Sequence, residues 1–191
     1  MPIKFIDSVN SKKHIALLYE DSEYARMLEF RFLKNGLEKG EQCVYATEGD
    51  SGSIVLKMLG YGIPLEHFES KKLRVYQIHQ SYRSRDEIMK SCKKDIEMIL
   101  SGLQSPFRIV SRIVPDVSTI DGMSVELELE RETHRRFDDI GGSVMCPYDL
   151  SKIESSQRKE WIAELAKNHH EVIYASRFGE GEVVSTTPET K

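Results

Sequence analysis

Eight side chains sit at or near the ends of apolar runs, where an α/β sheet would gather them: Tyr19, Glu20, Glu48, Arg112, Asp116, Cys146, Tyr148 and Asp149. Together they offer phenols, carboxylates, a guanidinium and a thiol. In such sheets ligands bind beyond the carboxyl ends of the strands, and aromatic walls with a few convergent polar groups suit a small organic molecule. Phosphate is a poor match. The turn after the first run reads Tyr19-Glu20-Asp21-Ser22-Glu23, with three carboxylates and neither the glycines nor the lysine that cradle phosphates.

Each candidate also has a structural reading. Tyr19 suits strand-end packing, Glu20 and Asp21 suit a helix N-terminus, and Asp149 suits the cap of the following turn. Arg112 stands among apolar neighbours, so if buried it needs a partner, and Glu48, Asp116 or Glu130 are the acids in view. An ion pair and a ligand-facing guanidinium have equal claims. Cys43, Cys92 and Cys146 have no Cys-x-x-Cys spacing and read as buried free thiols rather than a zinc site or disulfides. His14, His134, His169 and His170 lack a short ligand spacing, so no metal site is assigned. Nucleophilic use of Cys146 needs an adjacent base, and none can be picked out.

These groups need elements to position them. Residues 14–21, HIALLYED, read as a buried central strand with a helix opening directly behind it. That helix carries Tyr24, Leu28, Phe32, Leu33 and Leu37 on one face and stops at Gly40. A second strand spans 42–47, a helix 51–59 capped by Asp50, and a third strand 73–79. Ser84 and Glu87 form a capping box for a helix striped by Ile88, Cys92, Ile96 and Leu100. The fourth strand spans 107–114 and breaks at Pro115. Residues 123–140 alternate like a strand, but their Glu, Leu and Arg content favours a helix. A fifth strand begins at 143 and runs into Pro147-Tyr148-Asp149. Ser151 and Glu154 suggest a capping box for the last helix, before a sixth strand at 171–176. Residues 1–13 read as a lead-in and 179–191 as a flexible tail.

Six strands alternating with five helices predict a three-layer α/β/α sandwich around a mainly parallel sheet. With 191 residues, one domain over 14–178 is expected. A net charge of −4 advertises no nucleic-acid surface. The absence of a signal peptide or an apolar run of membrane length points to a cytoplasmic protein with no membrane role.

Four motifs, in order, carry a family resemblance: a His opening the first strand (His14, HIALLYED), Gly-Leu-Glu-Lys-Gly-Glu (36–41) leading into VYAT, Cys-x-Tyr-Asp at the fifth strand (Cys146, Tyr148, Asp149), and a His before the last strand (His169, HHEVIYA). Over residues 13–176 the chain resembles the MEDS domain, a sensory domain akin to the KaiC/RecA-like ATPases but without their phosphate loop. Leu129-Glu130 departs from the aromatic-Glu pair expected there. The resemblance implies strand order 3-2-4-5-1-6. It places Glu48 where KaiC-type ATPases keep a catalytic carboxylate and Asp116 where they keep a Walker-B acid. Without a phosphate cradle these acids have nothing to act on. The expectation is a non-enzymatic sensor that needs no cofactor. It would bind a small organic molecule, one-carbon or hydrocarbon-like, and signal through a separate regulator or kinase, with dimerisation compatible. Two other readings stand beside it: a nucleotide-binding ATPase relative with an unconventional loop holding Mg²⁺ through Glu48 and Asp116, and a pure interaction module.

Overall fold

Each of the six apolar runs becomes a strand in the computed structural model, which describes residues 1–10, 12–78, 84–114 and 116–186. His79, Pro115 and the tail residues 187–191 lie outside the described residues. The strands are β1 (His14–Tyr19), β2 (Gln42–Thr47), β3 (Leu73–Gln77), β4 (Phe107–Ser111), β5 (Gly142–Asp149) and β6 (Glu171–Arg177). They pair in parallel in the order β3-β2-β4-β5-β1-β6, so β1 is flanked by β5 and β6. A seventh strand, β7 (Glu180–Ser185), adds to β6 antiparallel.

That strand corrects the expectation of a flexible tail from residue 179. The tight reversal uses Gly179 at φ +80°, in the left-handed region that glycine adopts without strain. Val183 then packs on the core among Gly and Glu residues that mask the pattern. The expected lead-in is likewise structured. Helix α1 (Pro2–Ser8) buries Ile6 completely, and Arg31 grips Asp7 through two hydrogen bonds of 2.6 and 2.8 Å.

The remaining helices are α2 (Ser22–Glu38), α3 (Ser51–Tyr61), α4 (Glu66–Glu69), α5 (Arg85–Leu100), α6 (Ile120–Arg135) and α7 (Arg158–Lys167). Side-chain caps start four of them: Asp21, Asp50, Ser84 and Thr119 accept from backbone N–H groups of the first turn. The ambiguous stretch is a helix, beginning earlier than predicted and closing in a 3₁₀ turn over Phe137–Asp139. The Ser151 capping box does not form. Asp149 Oδ1 instead takes the Ser151 N–H and hydroxyl at 2.9 and 2.6 Å, and turns carry the chain to α7.

Helices α1, α2 and α3 pack on one sheet face, and α5, α6 and α7 on the other. Alternation along β1 follows: Ile15, Leu17 and Tyr19 enter the first core, while Ala16 and Leu18 enter the second.

A buried cation ties the first layer to the sheet. Arg108 on β4 is 1% exposed. Its guanidinium donates to Glu41 at 2.8 and 3.3 Å, to Phe32 O at 3.0 Å and to Val9 O at 3.0 Å. It reaches them by crossing α2 at Gly36, where a Cβ would stand 2.6 Å from Arg108 Cδ. The 36–41 motif thus clears a path for the arginine with Gly36 and pairs it with Glu41. Alanine for glycine inside a helix ordinarily stabilises by up to about 1 kcal/mol. Here Gly36→Ala is expected to destabilise by about 1–3 kcal/mol through overpacking, and that penalty should vanish in an Arg108→Ala background. Urea unfolding of the double-mutant cycle measures both; an additive cycle would sink the assignment.

Candidate functional site

The strand ends enclose a crevice of 410 Å³ whose lining includes Tyr19, Tyr45, Thr47, Glu48, Arg112, Tyr148, Asp149 and Lys152. Five of the eight predicted residues therefore gather there, and three do not. Glu20 is exposed and accepts a hydrogen bond from the Tyr174 hydroxyl at 3.0 Å. Asp116 is spent on its own turn, accepting from the Ser118 N–H and hydroxyl at 2.9 and 2.6 Å. Cys146 lies deeper, beneath the sheet surface.

The partner of Arg112 is none of the three acids expected. It is Glu29, fully buried on α2, which takes Nη2 at 2.5 Å and Nη1 at 3.2 Å. Tyr45 donates to the same carboxylate at 2.7 Å. A carboxylate aligned with Ala25 and Leu33 on the apolar face of a predicted helix is the signal that could have revealed Glu29. At the N-terminus of α2, the Asp21 carboxylate already accepts from Glu23 N and Tyr24 N, each at 3.0 Å. The free N–H groups that bind phosphate in other sheets are occupied here by the protein's own anion.

A second constellation lies under the sheet face covered by α6. Glu130 of α6 points Oε2 at His14 Nε2 (2.9 Å) and at His169 Nε2 (3.4 Å), and Cys146 Sγ stands 3.7 Å from His14 Nε2. All four residues are buried. Strand order brings them together, since His14 opens β1 between the strand bearing Cys146 and the strand preceded by His169. The spacing rule that set the histidines aside sees only neighbours along the chain. The base missing beside Cys146 in the sequence is supplied by His14 across the sheet.

Tyr148 extends the cluster, with its hydroxyl 2.6 Å from Glu130 Oε1 and 2.7 Å from Glu126 Oε1. One phenol proton serves only one carboxylate, so the other contact requires a protonated carboxyl. Burial, reinforced by the charge of Glu130, pushes Glu126 well above the ordinary carboxylate range and makes it the protonated member. Burial alone would raise Glu130 too, but His169 and His14 outweigh it and hold that group below the usual range. Burial lowers His169 to about 4. Its Nδ1 donates to Leu165 O at 2.7 Å, which leaves the Nε2 lone pair facing the cluster. Burial, then the charge of Glu130, push the Cys146 thiol well up.

Beside this cluster is a cavity of 90 Å³. Ile96, Ile99, Ile109, Ile113, Leu129 and Val144 supply apolar walls, and His14, Glu126, Glu130 and Cys146 supply polar groups. Among the described residues no helix is long and apolar enough to cross a membrane.

Residues 13–170 match the family model of the methanogen/methylotroph, DcmR sensory domain, MEDS. The chain belongs to the MEDS family. No curated protein sequence matches this MEDS domain. Among solved structures it is similar to a KaiC-like protein from the hyperthermophilic archaeon Pyrococcus horikoshii OT3, at 13% identity and a TM-score of 0.57, over 93% of this chain and 80% of that one. The flagellar accessory protein FlaH from Methanocaldococcus jannaschii is similar at 14% identity and a TM-score of 0.57, over 90% and 74% of the respective chains. These likenesses give the MEDS domain a KaiC/RecA-like fold.

The protonated Glu126 gives a stability signature. Its folded pKa lies well above the ordinary glutamate value of 4.5, so above pH 4.5 the unfolded chain releases a proton that the folded chain keeps. Stability from this group is complete below pH 4.5 and is lost as pH rises. Glu126→Gln keeps a neutral group at this position and removes the loss. Relative to wild type, the variant is expected to gain stability between pH 4.5 and 7, by at most about 1.4 kcal/mol per unit. Denaturant midpoints across that range measure it, and parallel profiles would contradict the assignment.

Proposed function

We propose that this MEDS domain is a non-enzymatic sensor that holds a small, largely apolar organic molecule of one or a few carbons and signals through a separate regulator or kinase. The family supplies the sensory role, and the 90 Å³ cavity beside the buried polar cluster carries the choice of ligand. An engineered apolar cavity of about 150 Å³ takes up benzene, so this one suits a molecule of about three to five heavy atoms. Its polar wall of His14, Glu126, Glu130 and Cys146 gives such a molecule an orientation that hydrocarbon walls alone do not. The strand-end crevice is the weaker host, because Glu29 and Tyr45 already satisfy its central cation, Arg112. To signal, the ligand must bind one arrangement of α5 and α6 against β4 better than another.

The nucleotide reading has Asp21 against it, since a carboxylate fills the helix terminus where phosphate would dock. The interaction-module reading leaves the cavity without a role.

Thermal unfolding across a panel of one-carbon and short-chain halogenated, hydroxylated and methylated compounds tests the proposal. A true ligand at 100 times its Kd adds about 2.7 kcal/mol, or a Tm rise of roughly 5–11 °C for a domain of this size. Ile96→Phe, which fills the cavity, is expected to abolish the shift. A shift with ATP–Mg²⁺ would overturn the sensor reading, and silence across the panel would favour an interaction module.

A further inference from the structure

We propose that His14, Glu130, Cys146 and His169 form a divalent transition-metal site of the zinc type, an assignment that rests on their own geometry and not on the ligand cavity. No two of their donor atoms are more than 4.8 Å apart. Zinc-type bonds run about 2.0–2.1 Å to nitrogen or oxygen and 2.3 Å to sulfur, so neighbouring ligand atoms lie between about 2.8 Å at right angles and, for a nitrogen–sulfur pair, about 3.6 Å at the tetrahedral angle. The Glu130–His14 and Glu130–His169 separations, 2.9 and 3.4 Å, fall inside that interval, and the Cys146–His14 separation of 3.7 Å lies just beyond it.

Two of the four donor atoms also face the cluster without a hydrogen-bond partner there. Glu130 Oε2 and His169 Nε2 are buried and lack an aligned hydrogen bond, although Glu130 Oε2 has His14 Nε2 only 2.9 Å away. Buried groups of this kind ordinarily find partners. A cation at the centre accepts all four lone pairs at once.

The surroundings are those of a ligand shell. His169 Nδ1 donates to Leu165 O, and Tyr148 holds the far oxygen of Glu130, which fixes both groups with their ligating atoms inward. Charge balances as well: a divalent ion with one carboxylate, one thiolate and two neutral imidazoles sums to zero, the least costly state to bury. On coordination the Cys146 S–H bond breaks, its electron pair goes to the metal and its proton leaves to solvent.

Cobalt(II), which reports ligand identity by absorption, is the first probe, followed by zinc competition. Metal-stripped wild-type protein is expected to bind one equivalent of cobalt, giving ligand-field bands of low coordination number and a thiolate-to-cobalt charge-transfer band, both erased by one equivalent of zinc. Cys146→Ser should lose the charge-transfer band, and His169→Gln should weaken binding at least 100-fold. His67→Gln, in a half-buried residue on α4 beside β3, and Cys43→Ser should leave the spectrum unchanged. The wild-type spectrum is decisive even if a variant fails to fold. Absence of a thiolate band, a stoichiometry well below one, or a band that survives in folded Cys146→Ser would overturn the site.

Discussion

A carboxylate buried at the sheet surface, Glu130, is the constraint around which the functional half of this molecule is arranged. An ionised carboxyl out of water is tolerated only if cations or donors meet it. They come from three directions: His14 from β1, Tyr148 from β5, and the protonated Glu126 one turn back on α6, acting through the tyrosine. Slipping β1 or β5 by one residue would turn its polar side chain to the opposite face and leave the acid unmatched. The cluster therefore enforces strand register as well as chemistry.

The opposite end of the sheet solves another electrostatic problem. KaiC-like proteins share this fold, but here the loop after β1 is acidic and closes on itself, with Asp21 capping α2. Arg112, a cation that lines that crevice, is held by Glu29 and Tyr45. Polar groups at the strand ends are thus largely paired within the protein. The unmatched ones lie one layer down, among apolar side chains.

Much of the frame is legible in the sequence because one-dimensional signals cause it. The runs at 14–19, 43–47 and 107–110 are buried on both faces, and Asp21, Asp50 and Ser84 lie where the helix termini need acceptors. Misreadings arise where a local pattern has two physical meanings. Ser151 has a capping signature, yet Asp149 takes its hydroxyl first. The Gly-Glu repeat after residue 179 has the composition of a tail, yet its two valines meet an open sheet edge. The predicted site was half legible for a related reason. Tyr19, Glu48, Arg112, Tyr148 and Asp149 gather because strand ends are predictable, whereas the association of His14, Glu130, Cys146 and His169 depends on strand order and on which face each side chain takes. Three of those four were already visible as family motifs, without the geometry that joins them.

The passage of Arg108 across α2 makes three positions far apart in the chain evolve as one. Any side chain at Gly36 collides with the guanidinium stem, and any neutral residue at Glu41 leaves the cation without a counter-charge. Replacement of the arginine frees both at once. Across MEDS sequences, glycine at 36 and an acid at 41 should therefore persist or disappear together with arginine at 108, a correlation imposed by packing at one position and charge at the other. Such a triplet would report that a homologue keeps the interface between α1, α2 and the sheet even where its sensing residues have diverged.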